Sequence, residues 1–254
     1  MKAALIFNRF APRRKLAATI RRMTPHLYLL TGASRGMGLA LAQQLLSPNH
    51  TLLCISRTES AELAQQARQT GSALLQWRHD LADSRTLVAQ LQQWLHTQRG
   101  TPWRSATLIN NASMIPPIAP LGQADADADA DADGIARALR VGLEAPMLLT
   151  AAFLQASEGW TAARKVLNIS SGLGRRPMAS QAAYCAAKAG MDHFSRCVAL
   201  EEASKTNGAK ICALAPRRDR HRHAAAIAQR RRTRFSRPGA FRPIKKQRPA
   251  DLAQ

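Results

Sequence analysis

Short apolar runs alternate with amphipathic stretches along most of the chain. From His26 the run LYLL leads into TGASRGMG and then into LALAQQLL, which stops at Ser47-Pro48. An apolar run, a glycine turn and a helical repeat predict strand, turn and helix in that order. The runs TLLCISR from Thr51, ALLQWRHDL from Ala73, ATLINNAS from Ala106, KVLNISS from Lys165 and KICALAP ending at Pro216 predict five further strands. Between them, Ser60 to Thr70, Ser84 to His96, Arg137 to Ala156 and Ala182 to Ala203 carry helical composition or periodicity. Strands alternating with helices predict a doubly wound, parallel α/β sheet, and 254 residues suit a single domain of that class.

Two kinds of segment break this rhythm. Residues 124–133 are five Ala-Asp repeats, whose carboxylates would repel one another within a helix. They are expected to form a solvated insertion ahead of a helix that begins near Gly134. Beyond Pro216 periodicity ends in RRDRHRH, RRRTR and scattered prolines, and residues 217–254 are expected to be a disordered, mobile tail.

The net charge of +21 belongs largely to the two ends. Residues 1–22 hold seven Lys/Arg and no acid; residues 217–254 hold thirteen against Asp219 and Asp251. The 17 basic and 14 acidic residues of 23–216 leave only +3, so the middle is an ordinary cytoplasmic-type domain. The leader is expected to precede a true start at Met23 or to act in targeting. No run approaches the roughly 18 apolar residues of a spanning helix. Cys54, Cys185, Cys197 and Cys212 form no CxxC pair, which predicts no zinc site, no disulfide framework and four reduced core thiols.

Within TGASRGMG, Gly32, Gly36 and Gly38 let the backbone turn tightly and approach a pyrophosphate, and Ser34, Arg35 and Met37 complete the cradle at a helix N-terminus. A carboxylate ending the second strand would select NAD by bonding its ribose 2′-hydroxyl. The strand ends instead in Ile55-Ser56-Arg57, and Arg57 with Arg35 offers guanidinium donors for a 2′-phosphate, which predicts NADP.

Ser171, Tyr184 and Lys188 form S-x12-Y-x3-K. Tyr184 and Lys188, four apart on a predicted helix, share a face, while Ser171 follows a strand end, where parallel sheets seat ligands. A tyrosine hydroxyl, normally titrating near 10, exchanges protons more readily beside an ammonium that stabilises its phenolate. Lys188 could also bond a nicotinamide ribose. Ser171 would polarise a substrate carbonyl while hydride passes between nicotinamide and carbonyl carbon.

TGASRGMG, HDL at 79–81, NNAS at 110–113 and SS-x12-YCAAKAG together resemble the short-chain dehydrogenase/reductase family over Met23 to Pro216. LEAPMLLTAAFL and ISSGLG are similar to its sepiapterin reductase-like, carbonyl-reducing branch. The resemblance implies a Rossmann-like fold, with Asp80 and Leu81 beside the adenine, Asn111 and Ala112 lining the cofactor, and Tyr184 and Lys188 at its ribose. It implies a small ketone, diketone or pterin side-chain carbonyl as substrate. A homodimer through the helices near 140–156 and 182–203 is a further expectation. Three positions depart from the family: Ser113 ends NNAS where NNAG is usual, Gly142 stands where many members carry a catalytic Asn, and Arg217-Arg218-Asp219-Arg220 replaces a segment that closes over the nicotinamide. One codon choice for RRDRHRHA spells V-V-T-D-T-D-M one base later, close to that segment, so the tail is expected to be a frame-shifted translation. The competing reading is a non-catalytic scaffold whose basic tail binds nucleic acid or an anionic surface. It ranks lower, because only Phe235 and Phe241 could stack on bases.

Overall fold

Six of the apolar runs become strands: β1 (His26–Thr31), β2 (His50–Ser56), β3 (Ala73–Arg78), β4 (Ser105–Asn110), β5 (Ala163–Ile169) and β6 (Lys210–Leu214). The computed structural model describes residues 25–121 and 128–216. The strands pair in parallel in the order β3-β2-β1-β4-β5-β6. Parallel neighbours need crossover connections, and helices supply them. These are α1 (Gly36–Leu45), α2 (Ala61–Thr70), α3 (Arg85–Thr97), the pair α4 (Ala128–Leu139) and α5 (Ala145–Ala156), and α6 (Ala182–Ala203).

Alternate residues of the strands enter two separate cores. On one face Leu27, Leu29, Leu53, Leu108 and Val166 pack with Leu87, Leu91 and Leu95 of α3 and Leu149 and Phe153 of α5. On the other, Leu30, Leu52, Cys54, Ile109 and Ile169 pack with Ala42 of α1 and Leu63 of α2. Among the described residues β6 has a strand neighbour on one side only, and its burial alternates between exposed and intermediate.

Several boundaries differ from expectation. The strands from Ala73 and Ala106 stop at Arg78 and Asn110, three residues short; past them the His79 N–H bonds the Ser56 carbonyl, and the Asn111 and Ala112 N–H groups bond the Thr31 hydroxyl in place of a strand. α4 begins at Ala128, not near Gly134, so part of the Ala-Asp repeat is helical. Alanine is the strongest helix former. The run from Arg137 to Ala156 is helical throughout but widens to a π-turn at Arg140–Glu144. Pro146 lies just beyond it; in an α-helix its ring would clash with the Gly142 carbonyl, and the wider turn relieves this. The thiols are not all in the core: Cys54 is buried, Cys185 partly so, and Cys197 and Cys212 are exposed on an outer helix face and the edge strand. The leader 1–22, residues 122–127 of the insertion region and the tail 217–254 lie outside the described residues. No described helix is long and apolar enough to cross a membrane.

Candidate active site

In a parallel sheet every strand ends at the same edge, so the loops after β1, β2, β3, β4 and β5 converge there. The glycine turn follows β1, Arg57 follows β2, Asp80 and Leu81 follow β3, Asn111 and Ala112 follow β4, and Ser171 follows β5. β1 lies between β2 and β4, where the chain order reverses and a crevice opens.

The glycines are required by geometry. Gly32 and Gly36 have φ of +73° and +57°, a left-handed region costly to other residues. A Cβ at Gly38 would stand 2.0 Å from the Gly32 carbonyl oxygen. Side chains then fix the turn to the sheet. Ser56 Oγ accepts from the Ala33 N–H at 2.8 Å. Thr31 Oγ1 accepts from the Asn111 and Ala112 N–H groups, each at 3.0 Å. Asn111 Nδ2 donates to the carbonyls of Thr31 at 2.9 Å and Gly32 at 3.3 Å, so its side chain braces the cradle.

This cradle fits a pyrophosphate. The α1 N-terminus has no side-chain cap and no acid in its first turn, which leaves its amides free for an anion. Nothing lies within 4 Å of the place a Cβ would take at Gly36. Arg35, Gly36 and Met37 are exposed and Ser34 is half-buried. Arg57 is also exposed, beyond a strand end that carries no carboxylate. Asp80 is ion-paired with Arg137 of α4. Burial pushes its carboxyl pKa up, but the Ala82 N–H and the Arg137 and Arg57 guanidinium groups outweigh this and hold it below the usual range. The Leu81 side chain belongs to the core beneath.

Ser171 Oγ accepts from the Leu173 N–H at 3.2 Å and so starts the 3-10 turn Gly172–Gly174. Because that oxygen accepts there, its own hydroxyl proton is available to another acceptor. Tyr184 and Lys188 lie one turn apart on α6, with Lys188 Nζ 5.8 Å from the Tyr184 ring centroid. Lys188 is 1% exposed, and its Nζ donates to the Ile169 carbonyl at 2.7 Å. Burial lowers its pKa to about 8, opposed by the charge of Asp192. Gly142 faces the same helix: a Cβ there would stand 3.2 Å from that of Ala187.

Sequence reasoning passed over several residues that hold this arrangement. Thr31 and Ser56 pin the cradle from positions inside the quoted motifs. Asn110 Nδ2 bonds Asn168 Oδ1 at 2.8 Å and Thr150 Oγ1 at 3.2 Å, and Asn168 Nδ2 bonds Ser195 Oγ at 2.8 Å, joining β4, β5, α5 and α6. The polar letters within NNAS and KVLNISS were the available signal.

The chain belongs to the short-chain dehydrogenase family, whose model, described as short chain dehydrogenase, matches residues 26–221. It is 36% identical over 188 residues to a benzil reductase, (S)-benzoin forming, of Bacillus cereus, covering 74% of this chain and 73% of that one. Sepiapterin reductase of Xenopus laevis is 31% identical over 185 residues, covering 69% and 68%. An NADPH-dependent pterin aldehyde reductase of Arabidopsis thaliana is 28% identical over 196 residues, covering 74% and 72%. A crystal structure of a short-chain dehydrogenase/reductase from Burkholderia vietnamiensis, 31% identical, covers 86% of this chain and 97% of its own with a TM-score of 0.65.

Proposed function

We propose that the chain reduces a small carbonyl compound, a ketone, diketone or pterin side-chain carbonyl, with NADPH. The observation that carries this reading is the buried Lys188 ammonium, held beside Tyr184 at the sheet edge that also bears Ser171 and the glycine turn. The relatives named for benzil, sepiapterin and pterin aldehyde reduction support the substrate class.

The nicotinamide nucleotide, when bound, supplies the hydride. The turn from Gly32 through Ser34, Arg35, Gly36 and Met37 to Gly38 would hold its pyrophosphate, and Asp80 would neighbour the adenine, with Leu81, its side chain in the core, reaching the nucleotide through its backbone alone. Asn111 and Ala112 would line the middle of the crevice, and Tyr184 and Lys188 would meet the nicotinamide ribose. Arg57 and Arg35, with no carboxylate at the end of β2, favour the 2′-phosphate of NADP over the bare ribose of NAD. Ser171 would donate a hydrogen bond to the carbonyl oxygen, keeping its proton, and so polarise it. Tyr184 then delivers its proton to that oxygen, and Lys188 steadies the phenolate left behind. Gly142, having no side chain to relay protons, takes no part in the proton path.

We take 23–216 as the working domain, with 1–22 and 217–254 appended to it. A homodimer through α5 and α6 is supported by exposed Met147 and Leu200 on those helices, and a cytoplasmic setting by four unpaired thiols. The second reading, a scaffold whose tail binds anions, draws on the thirteen Lys/Arg of 217–254. The test is oxidation of NADPH and NADH by the full chain with benzil and with sepiapterin. Carbonyl-dependent oxidation of NADPH supports the proposal. Strongly salt-dependent RNA binding without turnover would select the second reading.

A further inference from the structure

Asp192 lies on α6 one helical turn beyond Lys188, only 6% exposed, and among the described residues neither of its carboxylate oxygens accepts a hydrogen bond. A buried carboxylate without such partners is costly unless nearby charge offsets the cost. One cation pairs with it from another element, and a second lies one turn away on its own helix. Arg175, on the turn that follows Ser171, brings Nε to 3.4 Å from Asp192 Oδ2. Lys188 lies on the same helix face, and its pKa, lowered chiefly by burial, is raised in part by Asp192.

Gly174 brings the Ser171 turn directly onto this corner. A Cβ at Gly174 would stand 2.9 Å from the Lys188 carbonyl oxygen and 3.1 Å from Asp192 Oδ2, so the turn rests on α6 at both residues. A cavity of about 350 Å³ borders the corner on the β6 side, where Ser195, Ala199, Ile211 and Ala213 present no charge. Arg196, which also lines it, donates through Nε to the Asp192 backbone carbonyl at 3.3 Å.

We propose that Asp192 is a positioning residue whose carboxylate pairs with Arg175 and lies one helical turn from Lys188, joining the helix of Tyr184 and Lys188 to the turn behind Ser171. The inference rests on reading those three residues as the reacting set. Asp192 would act through Lys188. Its charge favours the ammonium form at a place where burial opposes it, while Arg175 competes for the same carboxylate from the solvent side. Loss of the carboxylate would therefore strip Lys188 of its proton at lower pH. Loss of the Arg175 guanidinium would have the opposite effect.

The experiment is an NMR titration of the full chain labelled with ¹³C at the lysine ε-carbons, with the Lys188 signal assigned through Lys188→Arg. It is run on the unmutated protein, Asp192→Asn and Arg175→Gln, each also assayed for kcat and KM across pH. Asp192→Asn should lower the Lys188 proton affinity about tenfold, one pH unit, and carry the alkaline limb of kcat with it. Arg175→Gln, a change on an exposed side chain, should raise the Lys188 midpoint. An unmoved midpoint in Asp192→Asn overturns the proposal, even if kcat falls, since a purely structural tie would then suffice. If Asp192→Asn does not fold, an Arg175→Gln midpoint that is unchanged or lowered overturns it as well. The titration needs neither nucleotide nor turnover. Shifted midpoints in a chain that reduces no carbonyl would refute the proposed function and uphold this inference, and unshifted midpoints in an active enzyme would do the reverse.

Discussion

Lys188 Nζ donates to the carbonyl oxygen of Ile169 at 2.7 Å, so a side chain with almost no solvent contact is met by the end of β5 in place of water. Burial brings its pKa down to about 8. Below that pH the ammonium is charged and can stabilise a Tyr184 phenolate; above it the amine is neutral and cannot. The kcat/KM for carbonyl reduction, which reports groups of the free protein, should therefore fall as pH rises through about 8. Lys188→Met should lower it by roughly 100-fold below that pH. A profile flat through the same range would contradict the assignment.

Gly38→Ala should damage the cradle more than Gly36→Ala. The new methyl at 38 would meet the Gly32 carbonyl oxygen at 2.0 Å, so the turn itself must move. That overpacking should cost about 1–3 kcal/mol in thermal unfolding and abolish NADPH binding in a fluorescence titration. At Gly36 the methyl enters open space, and the φ of +57° costs about 1–2 kcal/mol. NADPH affinity should still fall there, because the methyl enters the space proposed for phosphate. Unchanged affinity in both variants would remove the pyrophosphate from this turn.

Arg57→Asp should reverse the proposed preference for NADPH over NADH. The change removes a phosphate donor and adds a carboxylate that repels the 2′-phosphate and accepts from a 2′-hydroxyl. Paired titrations with the two nucleotides measure it; equal NADPH affinity before and after the change would reject Arg57 as the selector.

The alternation of strands and helices, and with it the parallel sheet, was legible because β-rich runs and helical repeats differ in period, and the glycine turn binds one to the other in sequence. The helix Ala182–Ala203 coincides with its expected bounds, and S-x12-Y-x3-K could be read because four-residue spacing on a helix is a local rule. Asp192 escaped notice for a non-local reason. Its significance comes from Arg175 and Gly174, which reach it only once the β5–α6 connection has folded back. The π-turn at Arg140–Glu144 likewise depends on how Pro146 is accommodated, and the exposure of Cys212 on β6 having a strand neighbour on one side only among the described residues. Part of the Ala-Asp repeat is helical because alanine's helix propensity outweighs the repulsion between its acids.

Glu202 should be the most sensitive charge outside the site. It is 2% exposed, pairs with Lys205 Nζ at 2.5 Å and buried Arg164 at 3.6 Å, and accepts the Ala209 N–H at 2.8 Å. Burial pushes its pKa up, but these partners outweigh it and hold the carboxyl below its ordinary value. A depressed acid contributes stability above its unfolded pKa and loses it as pH falls through the folded one. Glu202→Ala should cost about 3–5 kcal/mol in denaturant unfolding at neutral pH, since Arg164 is left buried. The deficit should shrink on acidification. An unfolding midpoint equal to that of the unmutated chain would show that the cluster is not a brace.

The central claim is that Tyr184 passes the proton in an NADPH-dependent carbonyl reduction. Its most direct test compares the unmutated full chain with Tyr184→Phe, measuring NADPH affinity by fluorescence and benzil-dependent NADPH oxidation by absorbance. The account predicts nearly equal NADPH affinity and a fall in kcat of at least about 100-fold, because only the proton-transferring hydroxyl is lost. Carbonyl reduction by Tyr184→Phe at the unmutated rate would contradict it.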